Sequence, residues 1–140
     1  MNTRCFDAVV QFVYISRRVP SFDDQSLHAM VQKAQATNAS VDVTGVLLHR
    51  GDWFMQLLEG PKVYVDFIRR KILADPRHTS IRILGDSEEI GGKRIFAGWS
   101  LVYKKLDEDT SELSDLMEQL IQLKRKCTPF ELMQLMQRFH

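Results

Sequence analysis

The residues of this sequence best placed to do chemistry are neutral. Gln56 sits inside Trp53-Phe54-Met55-Gln56-Leu57-Leu58, and a carboxamide in so apolar a run must find hydrogen-bond partners or cost on the order of 1–3 kcal/mol. Tyr14 sits in a second apolar run, residues 8–16. If these two strands are neighbours, running in parallel, the phenol and the amide meet on one face. A satisfied core pair is the plain account of such a couple, and composition alone favours it. Asn38 adds a third neutral group. It ends a helical pattern and precedes an apolar strand, where it serves as a left-handed C-cap or points its carboxamide over the same face. Three neutral polar groups converging between two helices can read the edge of a flat heteroaromatic ring.

Other chemistry is poorly encoded. There is no Gly-x-Ser-x-Gly elbow, no Walker loop and no Gly-x-Gly-x-x-Gly after a strand, so neither nucleophilic hydrolysis nor Rossmann-type nucleotide binding is signalled. His28, His49, His78 and His140 lack metal-ligand spacing, and Cys5 and Cys127 form no Cys-x-x-Cys pair, which speaks against structural zinc and a disulfide framework. A reducing cytoplasmic setting is expected. Arg50-Gly51-Asp52 reads as a hairpin turn rather than an adhesion signal. Nineteen basic residues against 18 acidic ones give a net charge of +1, far from the basic excess that drives phosphate-backbone binding, so no nucleic-acid partner is expected. No apolar run reaches the roughly 18 residues of a membrane span, and no signal peptide is recognisable.

The elements that position these residues follow from periodicity. At 140 residues, 44% hydrophobic and 26% charged, the chain reads as one folded unit. Residues 8–16 form a strand buried on both faces. Ser21 and Asp24 have N-cap-box spacing before Leu27, Met30, Val31 and Ala34, an amphipathic helix ending near Asn38. Residues 43–50 and 53–59 form a hairpin across Gly51-Asp52. Gly60-Pro61 precedes a helix with Val65, Ile68 and Ile72 facing inward, stopped by Asp75-Pro76. Residues 81–84 and 99–103 supply two more strands. The order β-α-β-β-α-β-β is an α+β, ferredoxin-like pattern with both helices on one sheet face. Val9, Val13, Ile15, Trp53, Met55 and Leu57 make the other face apolar too. Two tail helices, one with Leu113, Leu116, Met117 and Leu120 and one with Leu132, Leu135, Met136 and Phe139, are expected to cover it.

Five segments together carry a resemblance. They are Tyr14 in Val-Tyr-Ile-Ser-Arg, Asn38 followed by Thr44-Gly45, Phe54-Met-Gln56-Leu-Leu-Glu59-Gly60, Asp75-Pro76-Arg77-His78, and Arg94-Ile-Phe96-Ala-Gly-Trp99-Ser100. In this order and spacing, over about residues 7–104, the chain resembles the BLUF family of blue-light receptors using FAD. The resemblance implies a non-covalent oxidised flavin between the two helices, with FAD expected and FMN or riboflavin as alternatives. It implies that Tyr14 and Gln56 are the photochemical pair and that Asn38 bonds the flavin carbonyl and ring edge. Met30 and Ile72 match flavin-flanking aliphatics, Thr37 a variable flavin-facing position, and Arg77 and His78 a segment near the ribityl-phosphate end, with Asp75 bracing the turn. Trp99 and Leu101 fall where a signal would leave the site.

The expected organisation is a flavin-binding domain over residues 1–105 and a helical extension packed on the sheet over 106–140, the latter acting as output element. The expected function is photoreception without enzymatic activity, signalling to a separate effector protein, with homo-oligomer contacts. One departure stands out: many members carry Met two residues after the Trp, whereas here Leu101 keeps the volume and loses the thioether. An acylphosphatase-like enzyme lacks its glycine-rich phosphate loop. An RNA-binding module lacks basic residues on the third strand. The remaining alternative is a ferredoxin-like small-ligand or dimerisation module without photochemistry.

Overall fold

The computed structural model describes residues 9–89, 100–106, 115 and 117–119. Its elements are β1 (Val9–Arg18), α1 (Asp24–Ser40), β2 (Thr44–Arg50), β3 (Trp53–Pro61), α2 (Lys62–Ala74), β4 (His78–Glu89) and β5 (Val102–Lys105). The strands form one sheet in the order β4-β1-β3-β2-β5. This is the ferredoxin-like arrangement expected from the element order, with β5 added in parallel beside β2. Among the described residues no helix is long and apolar enough to cross a membrane.

The neighbours β1 and β3 are antiparallel, not parallel as expected. The β1-α1-β2 crossover sets β1 and β2 in one direction, and the tight hairpin reverses the chain, so β3 between them opposes both. The hairpin turns through Gly51, whose φ is +59°. The register nonetheless sets Tyr14 opposite Gln56, and Gln56 opposite Leu47. Directly paired residues share a face, so the phenol and the amide still meet.

Local chemistry corrects the helix and strand limits. Asp23, not Ser21, caps α1, its carboxylate accepting from the Ser26 amide at 2.8 Å. Phe22 and Leu27, at the staple positions around that cap, join one apolar cluster. The helix continues past Asn38 to Ser40, and the left-handed residue is Asp42, with φ 57°. The Asn38 carbonyl accepts from the Val41 and Val43 amides, so its backbone closes the helix and its side chain is left for other work. β4 spans twelve residues rather than four. Register shifts against β1 and Ser80 at φ 55° let this polar edge strand keep pairing.

Both helices cover the face that carries Tyr14 and Gln56, and the core there is divided. Val65 and Ile68 of α2 pack with Phe12, Tyr14, Val43 and Leu58. Leu27 and Val31 of α1 pack with Phe22, Leu47, Phe54 and Leu101. On the other face Val13, Ile15, Met55 and Leu57 are also buried. Of the tail, Asp115 and residues 117–119 are helical, Met117 is fully buried, and Glu118 pairs with Arg50 at 2.5 Å. The remaining tail positions and Trp99 lie outside the described residues.

Gly45 tests the β2–β3 pairing. A Cβ there would overlap the Leu57 carbonyl oxygen and crowd Leu58. Gly45→Ala is expected to destabilise the fold by about 1–3 kcal/mol, as overpacking does. The check is a lowered urea midpoint at unchanged slope; an unchanged midpoint would show that the hairpin absorbs the methyl group.

Candidate functional site

Tyr14 and Gln56 come from the centres of adjacent strands, and the Tyr14 hydroxyl donates to Gln56 Oε1 at 2.5 Å. Both are nearly inaccessible, at 5% and 7% exposure. Burial raises the phenol's pKa well above its ordinary 10, and the Asp75 carboxylate pushes the same way. Tyr14 is therefore a neutral donor. With Oε1 accepting from Tyr14, the Nε2 protons are the part of the Gln56 amide left for a ligand.

This pair floors a cavity of about 160 Å³ between the helices. Met30, Ala34 and Asn38 line it from α1, and Ile68, Lys71 and Ile72 from α2. Phe22, Leu47, Phe54 and Leu101 complete the wall under α1, and Asp75, Arg77 and His78 close the end beyond α2. The cavity thus lies where the two apolar clusters meet.

Asn38 is 2% exposed and donates through Nδ2 to the Ser100 carbonyl at 2.7 Å, leaving Oδ1 as an acceptor. One turn earlier Gln35 Nε2 donates to the Leu101 carbonyl at 3.0 Å. Two amides of α1 therefore hold the backbone that leads into β5. The sequence gives no signal for Gln35, because its partner is a backbone atom 66 residues away.

The Asp75-Pro76-Arg77-His78 turn is braced internally. The Asp75 carboxylate accepts from the Arg77 backbone amide and Nε, both at 2.9 Å, and from Nη2 at 2.5 Å. That pairing holds the carboxyl below its ordinary range and raises the guanidinium. The guanidinium also lies 5.4 Å over the Phe22 ring. His78 Nε2 is 2.6 Å from the Ile72 carbonyl, which can only accept, so this nitrogen carries the hydrogen. Nδ1 then accepts from the Ser16 hydroxyl at 2.7 Å. His78 thus fastens the end of α2 to β1, its ring standing T-shaped to that of Tyr14 with centroids 5.9 Å apart.

Of the ten residues singled out from sequence, Tyr14, Met30, Asn38, Gln56, Ile72, Arg77, His78 and Leu101 line this one cavity. Thr37 is half-buried and is not among the lining residues; its carbonyl accepts from the Ser40 hydroxyl. Trp99 lies outside the described residues. Phe22, Phe54, Ala34 and Lys71 were not anticipated as lining. Phe22 was findable as the apolar residue just before an N-cap, and Lys71 as the residue one turn after Ile68.

The donor set suits a flat, uncharged heteroaromatic ring. The neutral amides of Asn38 and Gln56 are available to its edge, and Met30 and Ile72 stand on opposite helices. The fold and cavity together define an α+β domain with a slot between two helices over one sheet face.

Residues 9–102 match the profile of BLUF, sensors of blue-light using FAD. Over 57 residues, 41% of the chain, the sequence is 47% identical to the blue light- and temperature-regulated antirepressor BluF of Escherichia coli (strain K12). Over 118 residues, 84% of the chain, it is 31% identical to photoactivated adenylate cyclase subunit beta of Euglena longa. The matched part spans 14% of the length of each of these relatives. Among solved structures, BlrB, a BLUF protein in its dark state, superposes with a TM-score of 0.77 at 28% identity, covering 96% of this chain and 99% of that one. BlsA in its ground state gives 0.69 at 26% identity, covering 94% and 83%. The chain belongs to the BLUF family of flavin-binding blue-light sensors.

Proposed function

We propose that Tyr14 and Gln56 are the photochemical couple of this sensor, and that their rearrangement is passed to a separate effector protein. The observation that carries this reading is the Tyr14–Gln56 hydrogen bond on the floor of the cavity. Met30 and Ile72 would hold the flavin ring from the two helices, with Asn38 Oδ1 and Gln56 Nε2 at its polar edge. Lys71 in the last turn of α2 supplies positive charge, Arg77 beyond the helix is held by Asp75, and His78 serves as a wall and brace. FAD is the flavin named by the family. When bound and excited by blue light, the flavin supplies a strong one-electron oxidant.

Tyr14 is the natural donor because its proton already has an acceptor in place. Loss of an electron makes the phenol strongly acidic, and its proton moves along the existing bond to Gln56 Oε1. An amide both accepts and donates, so Gln56 can relay the proton and then persist rotated or tautomerised. A changed bond from Gln56 to the flavin edge would shift absorption slightly to the red.

The exit route is the segment held by Asn38 and Gln35. A shift at Gln56 alters the polar edge that Asn38 shares, and Asn38 grips the carbonyl of Ser100, two residues before β5. Leu101 brings no sulfur, so packing and backbone bonds carry the change. The receiving element is the helical extension over residues 106–140, taken as packed on the sheet beside the flavin-binding domain of residues 1–105. The burial of Met117 and the Arg50–Glu118 pair support that docking. Two dockings separated by a few kcal/mol would suffice for a population shift. Output then takes the form of altered homo-oligomer contacts or effector binding in the cytoplasm, the chain itself performing no catalysis.

Purified protein is expected to be yellow with structured flavin absorption and to show a small reversible red shift under blue light. Chromatography of the released chromophore distinguishes FAD from FMN and riboflavin. A colourless preparation that rejects added flavin would favour a small-ligand or dimerisation module without photochemistry.

A further inference from the structure

A second tyrosine stands close to the cavity with a better proton acceptor than the first. Tyr103 lies on β5, two residues after the cavity-lining Leu101. It packs against the cluster that contains Leu101 and Phe54. Its hydroxyl is 2.9 Å from His49 Nδ1. The direction of that bond is set by the other ring nitrogen. His49 Nε2 is 2.6 Å from the Gly51 carbonyl oxygen, which only accepts, so Nε2 carries the hydrogen and Nδ1 the lone pair. Tyr103 therefore donates to an imidazole base, whereas Tyr14 donates to an amide oxygen, which is far less basic.

Aromatic rings connect this couple to the cavity. The His49 ring lies 5.1 Å from that of Phe54 and 6.2 Å from that of Tyr103, and Phe54 lines the cavity. Burial also pulls the His49 pKa below its ordinary 6.5, which keeps the accepting form present at neutral pH. We propose that Tyr103 and His49 form a second proton-coupled redox couple, able to give an electron to the photoexcited flavin across the Phe54 wall while the phenolic proton passes to His49 Nδ1. The inference rests on the flavin reading above.

The step balances within the named groups. The Tyr103 O–H bond breaks, one electron leaves to the excited flavin, and the proton forms an N–H on Nδ1. A neutral phenoxyl radical is left beside an imidazolium, and return of electron and proton restores both. Because Gln56 takes no part, this branch produces no amide rearrangement. It drains excitation without signalling and competes with Tyr14.

The chain has three tyrosines, which makes the test tractable. Flavin-loaded Tyr14→Phe protein, illuminated and frozen, is expected to show a tyrosyl signal by electron paramagnetic resonance. That signal should be lost when Tyr103→Phe is added and depleted when His49→Gln is added. With flavin bound, absence of the signal in Tyr14→Phe, or its survival without Tyr103, overturns the couple. A flavin-free arm separates this from failure of the flavin reading. Flash-generated ruthenium(III) tris-bipyridine serves as the oxidant, and the radical in Tyr14→Phe protein should settle on Tyr103. A radical settling instead on the exposed Tyr64, or on tryptophan, also overturns the proposal. Protein that stays colourless when flavin is offered tells against the flavin reading, and the ruthenium arm still decides the couple.

Discussion

Gln56→Leu protein is expected to bind flavin and to lose the light-induced red shift entirely. Leucine nearly preserves the volume, and the cavity walls from Met30, Ile72, Leu47 and Phe54 do not depend on the amide, so the ring should remain held. What disappears is the one group that touches Tyr14 and can both accept its proton and change its own bonding at the ring edge. The Tyr14 hydroxyl, almost fully buried, loses its acceptor, and stability should fall by about 1–3 kcal/mol, the usual cost of an orphaned buried donor. The light-minus-dark difference spectrum reads the first effect and the denaturant midpoint the second. A wild-type shift in this variant would remove Gln56 from the mechanism.

Tyr14→Phe should also retain flavin and fail to form the stable red-shifted state. The ring keeps its stacking on Phe12 at 5.4 Å and its edge contact with His78 at 5.9 Å, so the cavity floor is preserved. The lost hydroxyl is both the readily oxidised group and the source of the relayed proton. Time-resolved absorption should show excited-state decay without a lasting product. If Tyr103 donates in its place, a short-lived radical phase appears, still without the shift, because Gln56 has received no proton. A normal photocycle in this variant would mean that the shift does not originate at Tyr14.

Much of this site was legible because it rests on local rules. A polar side chain in each of two apolar strands, with side chains alternating at period two, puts Tyr14 and Gln56 on a buried face whichever way the strands run. That is why the wrong strand direction left the pairing intact. Helical spacing likewise brought Met30 and Ile72 to the cavity. The residues that escaped notice are held by long-range or backbone partners. Gln35 bonds a carbonyl far along the chain, and the partners that commit both nitrogens of His78, Ser16 and Ile72, were equally hidden although the residue itself was singled out. His49 read as an isolated histidine, since its partner Tyr103 is 54 residues away on a strand added in parallel. The limits of α1 and β4 were misjudged for a different reason: caps and bulges depend on single torsions, such as those of Asp42 and Ser80, which periodicity does not register.

The division of the core into one cluster under each helix has a cellular consequence. A guest seated in the cavity would touch residues of both clusters, and so would contribute to the fold itself. By mass action, free flavin at 100 times its dissociation constant adds about 2.7 kcal/mol to stability, a large share of the roughly 5–15 kcal/mol typical of a domain. Chains made when flavin is scarce would open more often and be degraded first. The amount of receptor a cell keeps would then follow its vitamin supply, setting light sensitivity by nutrition before any photon is absorbed.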